Sequence, residues 1–329
     1  MRGLSDSLGL WRRETARRLA APVAAVLLLV VGGCGPTLPT VWPSDQLQPL
    51  PEPADVSFGE GRIWQIDLPG QEPSYLFGTI HVTNPEVFDL PEAAETAFDK
   101  ARFAAFETGL EEDISEEEKT PYFELAEDAT LQGVLGEESY RRMKALFLFR
   151  YYRIKRLDRL QPWVVWFMIG GREISAGLRR EKGKPILDDW LQSRALEEGK
   201  EVIPLETTRE HLNVFAGIPL EDQVSMLNSA VDNFDKPRTK VERLELYLKG
   251  DLAQRYALWE RQLEQMDPEV ARRFHDRIMD GRNRTMVESL LPVFEKGSTF
   301  VAVGALHMPG ERGMLSLLEQ RGYTVTRLE

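Results

Sequence analysis

Two short stretches each set a histidine after an apolar run and a glycine: Phe77-Gly78-Thr79-Ile80-His81 and Val303-Gly304-Ala305-Leu306-His307. The chain has 4 histidines in 329 residues. Finding two of them in one unusual context, far apart in sequence, implies that the two segments meet in space. Imidazole serves as a general base near neutral pH and as a ligand for divalent ions. Two further apolar stretches end in an acid: Glu107 after Phe103-Ala104-Ala105-Phe106, and Glu206 after Val202-Ile203-Pro204-Leu205. Such groups at the ends of buried strands are costly unless they are paired, hydrogen-bonded or bound to a cation.

The set His81, His307, Glu107 and Glu206 suits a divalent metal with nitrogen and oxygen ligands, such as zinc, manganese or cobalt. Such a site lowers the pKa of a bound water and leaves one glutamate as general base, the economy of metal-assisted hydrolysis. The residues alone leave a second reading open, in which backbone groups satisfy the histidines and the acids cap turns or pair with arginine. The helical His-Glu-x-x-His arrangement is absent. Asp280-Gly281-Arg282-Asn283-Arg284 sets a glycine and a polar cluster inside an apparent helix. Arg282 and Asn283 there either reach a substrate carbonyl or a ligating glutamate, or form a solvated face. Asp188, after Ile186-Leu187, reads as the cap of its helix. His211 and His275 lie in charged helical surroundings and read as surface residues.

The elements that must position these groups are strands separated by helices. Residues 62–67 and 74–80 read as a hairpin around Pro69-Gly70, and 102–108, 202–206, 299–303 and 323–328 as further strands. Pro91 to Lys100, 188–198, 220–234, 239–247, 251–265, 268–294 and 313–321 read as helices, and Ser115 with Glu118 as a capping box. Tyr140, Met143, Leu146, Phe147 and Tyr151, with Trp163, Trp166 and Phe167, predict the core of a helical subdomain. The fold class is α/β: a mixed, largely parallel central sheet flanked by helices, with large helical insertions at about 110–183 and 208–294. Chemistry in such sheets gathers beyond the carboxyl ends of the strands, where His81, Glu107, Glu206 and His307 all fall.

Together, Tyr75-Leu76-Phe77-Gly78-Thr79-Ile80-His81, Phe106-Glu107, Leu205-Glu206-Thr207, Gly281-Arg282-Asn283, Val303-Gly304-Ala305-Leu306-His307, Gly310 and Gly322-Tyr323 resemble, in this order, the TraB/GumN family, related to the animal Tiki proteins. The resemblance runs from about Arg62 to the C-terminus. It implies an α/β core with paired Gly-x-x-His motifs, and a metal-dependent protease preferring manganese or cobalt and acting on a peptide or protein. It makes His81, His307 and Glu107 the leading active-site residues and metal ligands, with Glu206, Arg282 and Asn283 supporting catalysis. It also carries an alternative: a non-catalytic protein that captures a peptide or haem, since TraB-like proteins are linked to shutting down peptide pheromones and related folds to haem uptake.

The N-terminus predicts export. Arg12, Arg13, Arg17 and Arg18 precede the apolar run Leu19 to Val31, which is too short to span a bilayer comfortably and ends in Val31-Gly32-Gly33-Cys34. This resembles a bacterial lipobox: residues 1–33 a lipoprotein signal peptide, Cys34 the lipidated residue, 34–57 a Pro-rich tether and 58–329 the folded domain. Gly35 after the cysteine is similar to lipoproteins sorted to the outer membrane, so the expected location is its periplasmic face. Cys34 is the single cysteine, which excludes intrachain disulfides and sulfur-rich metal sites. The net charge is −12; removal of residues 1–33, with five arginines against Asp6 and Glu14, leaves −15. A nucleic-acid partner is not expected for so acidic a chain.

Overall fold

The computed structural model describes residues 49–110, 114–148, 156–174, 183–234 and 243–329. The leader, Cys34, the first part of the tether and Tyr151 lie outside the described residues, as does the Phe147 side chain.

Six strands form one sheet: β1 (Ile63–Asp67), β2 (Ser74–Thr79), β3 (Phe103–Phe106), β4 (Glu201–Pro204), β5 (Thr299–Gly304) and β6 (Thr324–Arg327), in the order β4-β3-β5-β2-β1-β6. β1 is antiparallel to β2 and to β6, whereas β2–β5, β5–β3 and β3–β4 are parallel. The sheet is therefore mixed and largely parallel. Every residue of β2 and β3 is buried, as is all of β5 up to Gly304. Strands covered by helices on both faces have no solvent side, which is why these stretches read as continuous apolar runs rather than as alternation.

In chain order the helices begin with α1 (Glu92–Lys100) between β2 and β3. α2 (Glu116–Phe123), α3 (Leu131–Leu135), α4 (Glu137–Leu148), α5 (Pro162–Ile174) and α6 (Leu187–Glu197) lie between β3 and β4. Between β4 and β5 come α7 (Thr208–Ala216), α8 (Leu220–Asp232), α9 (Arg243–Leu248), α10 (Leu252–Leu263), α11 (Pro268–His275) and α12 (Gly281–Phe294), and α13 (Met314–Glu319) precedes β6. Around the sheet the Phe300 ring meets Phe98 edge-on at 5.1 Å and Phe77 at 5.8 Å. Each such burial contributes about 1.5–3 kcal/mol. α6 lays Leu187, Leu191 and Ala195 on this core, all 0% exposed and spaced by four. That register brings the first turn of α6 to the end of β2.

A second core forms among the inserted helices. Trp163 stacks on Phe215 at 5.3 Å, Trp166 meets Phe274 edge-on at 5.3 Å, and Met143 is fully buried, with Tyr140 and Leu146 packed against this cluster. The expected single helix 268–294 contains one π turn, Asp276–Asp280, between α11 and α12. The Gly281 N–H bonds Asp276 O, five residues back, and a Cβ on Gly281 would lie 3.0 Å from that same oxygen. The glycine inside the helical pattern is thus the residue that lets the wide turn close.

The described end of the Pro-rich segment is docked along α10. Pro49 O accepts from the Arg261 guanidinium at 2.6 Å, Pro51 O from Gln254 at 2.9 Å, and the Ala54 N–H bonds Ala253 O at 3.2 Å.

Candidate active site

The parallel register fixes the site. Gly78 faces Val303 and Thr79 faces Gly304, so the two Gly-x-x-His segments leave the sheet side by side in one direction. On the other flank of β5 the pairing continues past the strands, with the Leu205 N–H bonding Phe106 O and the Glu206 N–H bonding Glu107 O. Across the carboxyl edge the order is Glu206, Glu107, His307, His81. Both glycines are steric requirements. A Cβ on Gly78 would sit 2.9 Å from Ala305 Cβ, and one on Gly304 would sit 3.1 Å from Glu107 Oε1, 3.5 Å from His307 Cδ2 and 3.7 Å from His81 Nε2. The groups thus surround one small volume that Gly304 leaves open.

Arg282 organises the acids. Its guanidinium bonds Glu206 at 2.7, 3.0 and 3.1 Å and Glu107 Oε2 at 2.7 Å, and its Nη1 lies 3.3 Å from His307 Nε2. Glu107 Oε1 accepts the Gly304 N–H at 2.6 Å. Burial alone would raise the Glu107 pKa, but Arg282, with His81, His307 and the Gly304 N–H, holds it well below the usual carboxylate range. Burial likewise opposes ionisation of Glu206, and hydrogen bonds from His211 and Arg282 outweigh it and lower its pKa. His307 is buried, and burial together with the Arg282 charge lowers its pKa to about 4, so the ring is neutral at pH 7.

Both imidazoles are held through Nδ1. His307 Nδ1 lies 2.6 Å from Asn283 Oδ1, and Asn283 Nδ2 donates to Arg312 O at 2.9 Å, which fixes the amide oxygen toward the ring. His81 Nδ1 lies 2.9 Å from Asp188 Oδ2. Since a carboxylate accepts, His81 Nδ1 is the donor to Asp188, and its Nε2 faces Glu107 Oε1, 3.9 Å away. His81 forms the solvent side of the site, with 41% of its side chain exposed.

The expectation that Asp188 caps its helix is corrected: the N-cap is Ile186, and both Asp188 oxygens bond to groups at the end of β2. His211 is not the surface residue its neighbours suggest. It lies on the inward stripe of α7 with Thr208, Leu212 and Phe215, its Nδ1 3.6 Å from Glu206 Oε2 and 3.5 Å from Arg282 Nη2. His275 is half-buried too, 3.3 Å from the Tyr256 hydroxyl and 3.7 Å from Asp280. For both, the flanking charges occupy the outer face of a helix whose inner face they share with core residues.

The donor types and charge suit a divalent cation, although His307 Nε2 faces the Arg282 guanidinium at 3.3 Å. Glu107, Glu206 and Asp188 against Arg282 leave a formal −2 before the two imidazoles are counted. Two donors on one ion at about 2.1 Å stand about 2.9–4.2 Å apart depending on the angle, a range that includes the 3.9 Å between His81 Nε2 and Glu107 Oε1. Among the described residues no three His, Cys, Asp or Glu side chains are gathered closely enough to enclose an ion as they stand; Arg282 holds the second oxygen of Glu107. A cavity of about 580 Å³ opens on the Glu206–Arg282 pair, with Val214, Ile218, Met226 and Phe274 among its walls. A larger one of about 1260 Å³, beside Pro49, Asn228 and Arg261, contains none of these groups.

The model of the TraB/PrgY/gumN family matches residues 62–327, the whole sheet and every residue of this site. The chain belongs to that family. It is 25% identical over 313 residues to Metalloprotease TIKI1 of Xenopus tropicalis, covering 80% of this chain and 60% of that protein. It is 24% identical over 314 residues to Metalloprotease TIKI2 of Danio rerio, with the same shares, and 24% identical over 313 residues to the Metalloprotease TIKI homolog of Amphimedon queenslandica, covering 81% and 61%. The chain thus spans about three-fifths of the length of these relatives. No solved structure matches it.

Proposed function

We propose that this protein is a metal-dependent peptidase of the cell envelope, tethered through lipid on Cys34 at the periplasmic face of the outer membrane. What carries the reading is the pairing of β2 with β5, which sets His81 and His307 beside Glu107 with each Nδ1 engaged by an oxygen. The names of the TIKI relatives support the same class. His81, His307 and Glu107 would hold the ion, manganese, cobalt or zinc by donor type, which supplies an activated water and polarises the scissile carbonyl when bound. Glu206, kept ionised by Arg282 and His211, is the proton acceptor. Arg282 offers N–H donors to the oxygen on which charge develops, and Asn283 keeps the His307 proton on Nδ1. The cavity beside Glu206 and Arg282 is large enough to seat a stretch of peptide.

A second reading, capture of a peptide or haem without cleavage, draws support from the two glutamates being already bonded to Arg282. Metal analysis followed by assay on a peptide library, with His81→Ala and His307→Ala as controls, separates the two. Turnover retained in both variants rejects the peptidase, and ligand binding of normal affinity by metal-free protein favours capture. For the tether, globomycin-sensitive processing and loss of membrane association in Cys34→Ser are the expected results. No helix among the described residues is long and apolar enough to cross a membrane.

A further inference from the structure

His81 and His307 are held unequally. His307 is buried and its Nδ1 partner is a neutral amide, whereas His81 is 41% solvent-exposed and its partner is a carboxylate. An exposed imidazole has rotamer freedom that packing does not remove, so something must fix both its direction and its proton. Asp188 stands where it can do both. It comes from α6, 107 residues away in sequence; one oxygen takes His81 Nδ1 at 2.9 Å and the other accepts the Thr79 hydroxyl at 2.5 Å. Thr79 is buried at the last position of β2, two residues before His81, so the carboxylate is anchored to the strand that delivers the ring. The helix itself does not need this side chain for capping.

We propose that Asp188 is the positioning residue of His81: anchored by Thr79, it engages Nδ1 as a donor and turns Nε2 toward Glu107. This rests on the metal reading for its purpose but not for its geometry, because the Asp188–His81 contact stands without metal. An outer carboxylate on a ligating histidine fixes ring orientation and raises donor strength, and its loss lowers metal affinity by about 10–100-fold.

The test has two arms. In metal-free protein, long-range ¹H–¹⁵N spectra of His81 are expected to show the Nδ1–H form in the wild type and a mixture or the Nε2–H form in Asp188→Asn. In a competition titration with Zn²⁺ or Mn²⁺, Asp188→Asn is expected to lose about 10–100-fold in affinity, while Glu197→Gln, an exposed acid on the same helix, keeps wild-type affinity. Should Asp188→Asn misfold, Thr79→Val, which retains the carboxylate and removes its anchor, is expected to shift the tautomer in the same direction by a smaller amount. An unchanged His81 tautomer in the folded variant overturns the proposal. A wild type that shows the Nδ1–H form but binds no divalent ion overturns the metal reading and leaves the positioning role standing.

Discussion

Arg282→Met is the perturbation that asks most of this site. It removes the cation shared by two buried carboxylates, Glu107 and Glu206, 8% and 4% exposed, and with it four contacts of 2.7–3.1 Å. Removing one partner of a buried ion pair costs about 3–5 kcal/mol because the other charge stays buried. At about 2–4 °C per kcal/mol for a domain of this size, melting falls by roughly 6–20 °C. The pH dependence is the sharper part. In the wild type both carboxyl pKa values lie below their unfolded values, so their contribution is present above the unfolded pKa and is lost as pH falls through the folded one. Without Arg282, burial becomes the dominant influence and lifts at least one pKa above its unfolded value, so the variant gains stability as pH falls toward 5. Urea melts at pH 8, 6.5 and 5 measure both slopes. A variant that loses less than about 1 kcal/mol, or that keeps the wild-type slope, would refute the claim that Arg282 neutralises this pair.

Three other outcomes are expected. His307 has a folded pKa of about 4 against an ordinary 6.5, so the unfolded chain binds its proton first as pH falls. Stability present above pH 6.5 should decline by about 3 kcal/mol on the way to pH 4, and metal-free His307→Gln should show a smaller decline in the same melts. Gly304→Ala places a methyl in the volume shared by Glu107, His81 and His307 at an ordinary φ of −51°. Divalent-ion affinity by competition titration should therefore drop at least about tenfold, and melting should fall as the Glu107 carboxylate is pushed off a Cβ 3.1 Å away. Gly281→Ala presses on Asp276 O at 3.0 Å and should cost about 1–3 kcal/mol in urea melts, with the π turn displaced in a crystal structure.

The strands were legible in the sequence because burial on both faces writes them as unbroken apolar runs, and their polar ends stood out for that reason. From there, the rule for parallel sheets places His81, Glu107, Glu206 and His307 along one edge, which is where they lie. Several features had no local signature. That Arg282 bridges both glutamates depends on β3 and β4 being neighbours, and the bond from Asp188 to His81 depends on the first turn of α6 reaching the end of β2. His211 was hidden by Arg209 and Glu210, whose charges describe the other side of α7. The π turn showed itself as an unexplained glycine, and only the Asp276 carbonyl gives the reason for it.

The register partners Thr79 and Gly304 are separated by most of the polypeptide, and their alignment has a temporal consequence. During synthesis the first imidazole emerges long before the strand that must run beside it, so a nascent or C-terminally truncated chain cannot assemble the cleft. A displacement of β5 by one residue would turn its side chains to the opposite face of the sheet. Any hydrolytic power this protein has is therefore withheld until its last strands have docked in register, a latency set by topology and requiring no separate inhibitor.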